Sequence, residues 1–175
     1  MKSLRIGLFV LLCAAGQTFA QRVVYNFDRS TKFSGLHTYK WITIEGNEAV
    51  SQITSQNITN LVNTQLADKG FVQAAGSQKA DMYVGFQVSI DQQKQLNWFN
   101  NGGYWMGGGM GWAATTTIDV GTLVVDFYNP SQKQLIWRGT ATKTLNPSGN
   151  ANKNYEHLQK AVAKLLKDFP PPFKK

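Results

Sequence analysis

The sequence GTLVVDFYNPSQKQLIWRGTA, residues 121–141, predicts a β-hairpin around which the rest of the fold is arranged. Asn129 and Pro130 interrupt two runs in which apolar residues recur at every second position. Proline fixes φ, and an asparagine side chain can accept a hydrogen bond from the backbone two residues ahead, so the chain is expected to reverse there. The alternating apolar positions are Leu123, Val125, Phe127, Leu135, Trp137, Gly139 and Ala141. Two strands alone are only marginally stable in water, so the remaining elements must cover this hairpin.

The first twenty residues read as a secretory signal peptide. Lys2 and Arg5 precede an apolar run at residues 6–15, and small residues at positions 18 and 20 precede Gln21. The run is about half the roughly 20 residues that a membrane-spanning helix needs. We therefore expect cleavage after Ala20 and an exported protein, periplasmic or associated with the outer membrane.

Cys13 raises the alternative of a lipid anchor, because many envelope proteins carry an acylated cysteine at the start of the mature chain. A lipoprotein signal places a small residue directly before that cysteine, whereas this chain has Leu12. The sequence therefore favours soluble export over lipidation. Cys13 is the only cysteine, so a chain cleaved after Ala20 would contain neither disulfides nor cysteine-ligated metals.

The mature chain, residues 21–175, has the length of one domain with a sizeable core. Loss of Lys2 and Arg5 lowers the formal charge from +8 to +6. The sequence shows no internal repeat and no second domain.

Periodicity predicts an α+β fold in the order β-β-α-β-β-β-β-α, with a largely antiparallel sheet and two helices packed on one face. Strands are predicted at residues 22–28 and 39–42, which we expect to pair with each other, and a short one begins after Gly70. Two long strands are predicted at residues 81–91 and 115–128. In the second, the apolar face changes at Gly121, which indicates either a β-bulge or a strand buried on both sides.

The two predicted helices cover residues 51–69 and 152–168. Each carries one apolar stripe at helical spacing. The stripes are Ile58, Leu61, Val62 and Leu66 in the first, and Leu158, Ala161, Val162, Leu165, Leu166 and Phe169 in the second. Gly70 is expected to end the first helix in the left-handed conformation, and prolines at 170–172 end the second.

Residues 97–112 form a conspicuous insertion between the two long strands, with six glycines, three tryptophans and two methionines. Its glycines argue against regular structure, and its large side chains are typical of a contact surface. One interpretation is a recognition loop for an envelope protein, a glycan or a membrane surface; the other is a loop that covers an open part of the sheet. The candidate binding residues are Trp98, Phe99, Tyr104, Trp105, Met106, Met110 and Trp112.

Catalytic and cofactor motifs are sparse. His37 and His157 are expected to be ordinary polar residues, and neither a metal nor another cofactor is predicted. Carboxylates on or beside strands at Asp81, Asp91, Asp119 and Asp126 leave a hydrolase acting on envelope glycan or peptide as an alternative. For Asp126 we favour a cross-strand ion pair with Arg138.

Six short motifs, in order, resemble the DUF4136 family of bacterial envelope proteins over nearly the whole mature chain. They are FSGLHTYKW at 33–41, LADKGF at 66–71, ADMYV at 80–84, GTLVVD at 121–126, LIWRG at 135–139, and the segment 161–171 that ends in FPP. The resemblance implies an exported protein, often a lipoprotein, and no established activity. It supplies no catalytic residues.

The sequence thus predicts a non-enzymatic binding module at the cell envelope. Its expected partner is an envelope protein, a glycan or a membrane surface, and nucleic acid is not expected because the chain is exported. No transmembrane helix is predicted in the mature chain.

Overall fold

The computed structural model describes residues 21–44, 50–99, 112–145 and 150–172. The described residues form six strands and two helices in the predicted order. The elements are β1 (Arg22–Phe27), β2 (Thr38–Trp41), α1 (Gln52–Ala67), β3 (Val72–Gln73), β4 (Met82–Phe99), β5 (Trp112–Asn129), β6 (Gln134–Leu145) and α2 (Ala151–Leu165). The predicted α+β class and the mostly antiparallel sheet are confirmed.

The hairpin predicted at residues 121–141 consists of β5 and β6, which are neighbouring strands in the interior of the sheet. The side-chain oxygen of Asn129 accepts hydrogen bonds from the backbone N–H of Ser131 (2.9 Å) and Gln132 (3.1 Å), as the turn chemistry predicts. Lys133 completes the turn with a positive φ of 51°. The strand order across the sheet is β1-β6-β5-β4-β2-β3.

The predicted pairing of the first two strands is wrong. β1 pairs with β6 instead, and β2 runs parallel to both β3 and β4. Helix α1 makes this possible, because a parallel connection needs a crossover segment and α1 provides one between β2 and β3. The amide oxygen of Asn63 in α1 accepts hydrogen bonds from the Tyr39 hydroxyl (3.0 Å) and the Trp41 indole (2.8 Å), and so joins the helix to β2.

The β-bulge considered at Gly121 is also wrong. The β4–β5 and β5–β6 registers run through Gly121 without a shift, and the irregularity in the β5–β6 pair lies at Phe127 and Tyr128. A Cβ at Gly121 would lie 2.8 Å from Leu145 Cδ2, so this glycine makes room for a neighbouring side chain. The other interpretation, a strand buried on both sides, is confirmed, since β5 buries Val120 on one face and Leu123 on the other.

The core lies between the sheet and the helices. Every residue of the α1 stripe is buried, as are Val162 and Leu165 of α2 and Leu166, which caps it. Phe169, just beyond α2, lies at the centre of an aromatic cluster. Its ring stacks on Phe127 with centroids 4.1 Å apart and planes 7° apart, and it also contacts Phe33, Phe71 and Trp137.

Gly139 allows β6 to take part in this cluster. A Cβ at this position would collide with the Trp137 ring and lie 2.8 Å from Leu165 Cδ1 in α2. The absence of a side chain therefore lets the indole lie along its own strand while α2 packs above it.

Replacing Phe169 with alanine should lower the free energy of unfolding by about 3–5 kcal/mol, because it leaves a cavity at the point where four other rings meet. Urea denaturation monitored by circular dichroism measures this loss. Val72→Ala is the control, since Val72 is 63% exposed and its truncation should change stability by less than about 0.5 kcal/mol. Equal midpoints for Phe169→Ala and the wild type would contradict the central position of this ring.

Candidate functional site

An apolar groove of about 450 Å³ lies between the N-terminal halves of the two helices, with the sheet as its floor. Its volume is within the range of small-molecule binding sites. The floor is formed by Val88, Ile90, Gly121, Leu123, Ala141, Lys143 and Leu145. The walls are formed by Ile53, Thr54, Asn57 and Ile58 of α1 and by Ala151, Asn154, Tyr155, His157, Leu158 and Ala161 of α2.

The groove exists because each helix packs on the sheet mainly through its C-terminal half. In α2, Val162 and Leu165 are fully buried, whereas Leu158 is only half-buried and Tyr155 is 41% exposed. In α1, the first buried residue is Ile58, and Ile53 is 72% exposed. The ends of the helices nearest their N-termini therefore leave part of the apolar floor uncovered.

A two-stranded ribbon leaves the sheet at the same end. β6 pairs with β5 only as far as Leu145 opposite Asp119, while the β4–β5 pairing continues to Phe99 opposite Trp112. The groove contains Ile90 and Leu145, which are close to the base of this ribbon. Ile90 is 56% exposed, although it belongs to the inward-facing row of β4.

The ribbon includes part of the predicted insertion. Trp98 and Phe99 lie in β4 and Trp112 lies in β5, so regular strand extends further into this segment than its glycine content indicates. Tyr104, Trp105, Met106 and Met110 lie outside the described residues. Whether any of the seven residues contacts a partner stays a prediction.

The predicted ion pair between Asp126 and Arg138 is confirmed on the opposite face of the sheet. Arg138 donates from Nε to Asp126 Oδ1 and from Nη2 to Asp126 Oδ2, both at 2.7 Å. The Asp126 side chain is only 1% exposed, against 48% for Arg138. Tyr128 adds a third hydrogen bond to the carboxylate at 3.2 Å.

Electrostatics within this cluster favour the charged guanidinium. The hydrogen bond to Asp126 is the main cause that raises the pKa of Arg138 above its ordinary value. Burial, followed by the negative charge of Asp126, raises the pKa of the Tyr128 phenol. Gly85, the partner of Asp126 on β4, has no side chain and leaves space for Ile44, whose Cδ1 lies 2.5 Å from where a Cβ would be.

Asp81 also has a structural role, because its carboxylate joins two parts of the sheet. Its Oδ2 accepts hydrogen bonds from the backbone N–H of His37 (3.0 Å) and Thr38 (2.8 Å) and from the Thr38 hydroxyl (2.8 Å). The bond from His37 is the largest of the effects that lower the pKa of Asp81. This carboxylate therefore fixes the start of the parallel pairing between β2 and β4.

The predicted carboxylates do not form a common site through these contacts. Asp81 joins β2 to β4, Asp126 is paired with Arg138, and Asp119 lies opposite Gln92 and Leu145 in the sheet. Within the described parts of the chain, no group of three or more His, Cys, Asp or Glu side chains could hold a metal ion.

The sequence reasoning missed the groove. Two signals were present: Ile53 is an apolar residue outside the α1 stripe, and Lys143 interrupts the apolar inward-facing row of β6. Neither signal indicates a cavity until the positions of the helices on the sheet are known.

A family model described as a domain of unknown function, DUF4136, matches residues 23–171. The chain belongs to the DUF4136 family. None of the curated proteins compared with the chain matches it.

Two solved structures share this fold at low sequence identity. A DUF4136 family protein from Bacteroides thetaiotaomicron is 11% identical with a TM-score of 0.54, and the match covers 86% of this chain and 96% of that one. A PDZ domain protein from Parabacteroides distasonis is 13% identical with a TM-score of 0.56. That match covers 87% of this chain but only 36% of the PDZ domain protein. A neuraminyllactose-binding hemagglutinin homolog from Helicobacter pylori matches at 12% identity over 79% of this chain and 83% of its own, with a TM-score of only 0.40.

None of the helices in the described residues has the length and apolar character needed to cross a bilayer.

Acid should destabilise the protein partly through Asp81. Because the folded-state pKa of this group is lowered, its stabilising effect is present above the unfolded pKa of about 3.9 and is lost as the pH falls through the folded value. Asp81→Asn should lower the free energy of unfolding by about 1 kcal/mol at pH 7 and flatten the decline below about pH 5. Urea denaturation between pH 7 and pH 2.5 measures both effects.

Asp91→Asn is the matched control, because Asp91 is likewise an exposed carboxylate but accepts only one side-chain hydrogen bond that the structure gives, at 3.3 Å, from Ser89. Asp28 has a lowered pKa as well, so part of the acid dependence should remain in Asp81→Asn. Identical pH profiles for Asp81→Asn and the wild type would contradict the role of Asp81 in the β2–β4 pairing.

Proposed function

We propose that this DUF4136 protein is an exported, non-enzymatic binding module that contacts an envelope partner or surface. The contact region is the end of the molecule at which the ribbon and the helix N-termini lie. The observation that carries the proposal is the apolar groove. Three of the residues that line it, Ile53, Ile90 and Tyr155, are exposed to solvent.

Exposure of these three side chains supports binding because large apolar side chains gain free energy when a partner removes them from water. Burying one of them fully is worth about 1.5–3 kcal/mol. They lie on α1, β4 and α2, so the fold brings together apolar residues that are distant in sequence. A concave apolar surface of this kind is the usual form of a binding site.

A non-enzymatic role is supported by the contacts of the strand carboxylates. A hydrolase would need carboxyl groups available to a substrate. Asp126 is buried in a bidentate pair, and the Oδ2 of Asp81 accepts three hydrogen bonds from β2 and the residue before it. Two of the four predicted carboxylates therefore make contacts that stabilise the fold.

The Gly- and Trp-rich insertion belongs to the same proposal. It connects the two strands of the ribbon, whose base adjoins the groove. Aromatic side chains carried there would extend an apolar contact region beyond the groove. Replacing Trp98, Trp105 and Trp112 with alanine tests this part of the surface separately from the groove.

A variant with Ile53→Gln and Ile90→Thr should bind envelope material at least about tenfold more weakly than the wild type, because two apolar contacts are lost. Binding is measured by co-sedimentation with phosphatidylglycerol vesicles and with peptidoglycan fragments. The matched control is Val24→Thr with Val72→Thr, which changes two exposed aliphatic side chains that do not line the groove.

The control variant should bind as the wild type does. The proposal would be wrong if the wild type sediments with neither material, or if the groove variant and the control bind equally well. Thermal denaturation of each variant establishes that any loss of binding is not a loss of folding.

A further inference from the structure

The groove has an apolar floor, but its lining also includes basic side chains, which a purely apolar partner would not require. In the described part of the chain no Asp or Glu side chain lines it, whereas Lys143 and His157 do. The first turns of α1 and α2 also line it, and the N-terminus of a helix carries a partial positive charge. The groove therefore favours a ligand with an apolar body and a negative group.

Lys143 occupies an unusual place for a lysine. Trp137, Gly139 and Ala141 precede it at every second position in β6, and this row faces the helices. Lys143 lies opposite Gly121 and is half-buried. Within the described residues it forms no ion pair with an acidic side chain, so its charge is available to a ligand.

A second hydrogen-bond donor lies in the same groove. The Nε2 atom of Gln21 is buried and has no hydrogen-bond partner among the described residues. A buried donor without a partner costs free energy that a ligand oxygen would recover. Gln21 precedes β1, which pairs with β6 through Arg22 opposite Thr142, so it lies close to Lys143 in the sheet.

The floor runs inward from these polar groups. Ala141 and Leu123 lie two residues further from the ribbon end than Lys143 and Gly121, and the α2 wall includes the half-buried residues Leu158 and Ala161. An extended hydrocarbon chain placed with one end at Lys143 would therefore pass over progressively more buried apolar residues.

We propose that the groove binds a single acyl chain with an anionic headgroup, namely a long-chain fatty acid, with its carboxylate at Lys143 and Gln21. The hydrocarbon chain lies on Leu123, Ala141 and Leu158 between the two helices. This inference rests on the proposed binding function and names the ligand class that the groove receives. The apolar floor supplies affinity, and the lysine selects an acid over a neutral lipid.

The test uses palmitate as the anionic probe and hexadecanol as its uncharged counterpart, with the protein purified after export. Each competes with a dansyl-labelled fatty acid whose fluorescence rises in an apolar site. Palmitate should displace the dye and bind more tightly than hexadecanol. Lys143→Met should weaken palmitate binding about tenfold and leave hexadecanol binding within about twofold, because the variant removes the charge and retains the length of the side chain.

Two further variants separate the groove from general surface effects. Lys160→Met removes a charge from the exposed face of α2, outside the groove, and should bind palmitate as the wild type does. Ala161→Phe fills the groove from its α2 wall and should abolish binding of both probes. The melting temperature of each variant, compared with that of the wild type, establishes that it is folded.

The inference would be overturned if palmitate does not displace the dye, if Lys143→Met and Lys160→Met bind palmitate equally well, or if hexadecanol binds as tightly as palmitate. Such a result is distinguishable from failure of the proposed function. In that case co-sedimentation with vesicles or peptidoglycan fragments would still depend on Ile53 and Ile90, and the groove would receive a different partner.

Discussion

The stacking of Phe169 on Phe127 is the contact on which the arrangement of the whole molecule depends. Phe127 belongs to the central hairpin, and Phe169 follows the last helix, so the stack attaches the C-terminal end of α2 to the middle of the sheet. Phe71, in the connection after α1, contacts the same ring. The C-terminal ends of both helices are thus held at one place, and about 3–5 kcal/mol of stability is concentrated there.

This attachment explains why the opposite ends of the helices leave the sheet partly uncovered. Burial in α2 increases from Tyr155 through Leu158 to Val162. Burial in α1 likewise increases from Ile53 to Ile58. The contacts that stabilise the fold and the groove proposed as a binding site therefore lie at opposite ends of one helix layer. Regions with fewer buried contacts open more readily, which is compatible with the proposed entry of a ligand.

Much of the fold could be predicted from local chemistry. The Asn129 turn, the α1 stripe and the Asp126–Arg138 pair depend on residues that are close in sequence or face each other across one hairpin.

The pairing of β2 could not be predicted in this way, because a parallel strand depends on a helix crossover and on the Asp81 carboxylate 43 residues after Thr38. At Gly121, an alternation that changes face fits a bulge as well as a doubly buried strand, and only the register of β5 with β4 and β6 distinguishes them. The groove depends on where two helices lie on the sheet, which no single element encodes.

Hydrogen exchange of the protein, measured amide by amide with and without palmitate, tests the central claim most directly. The account predicts the slowest exchange in β5, β6 and the C-terminal halves of both helices, with faster exchange in their N-terminal halves. Palmitate should slow exchange in the first turns of α1 and α2 and at the end of β6 near Lys143. Equal protection along both helices, or protection by palmitate only on the sheet face that carries Arg138, would contradict it.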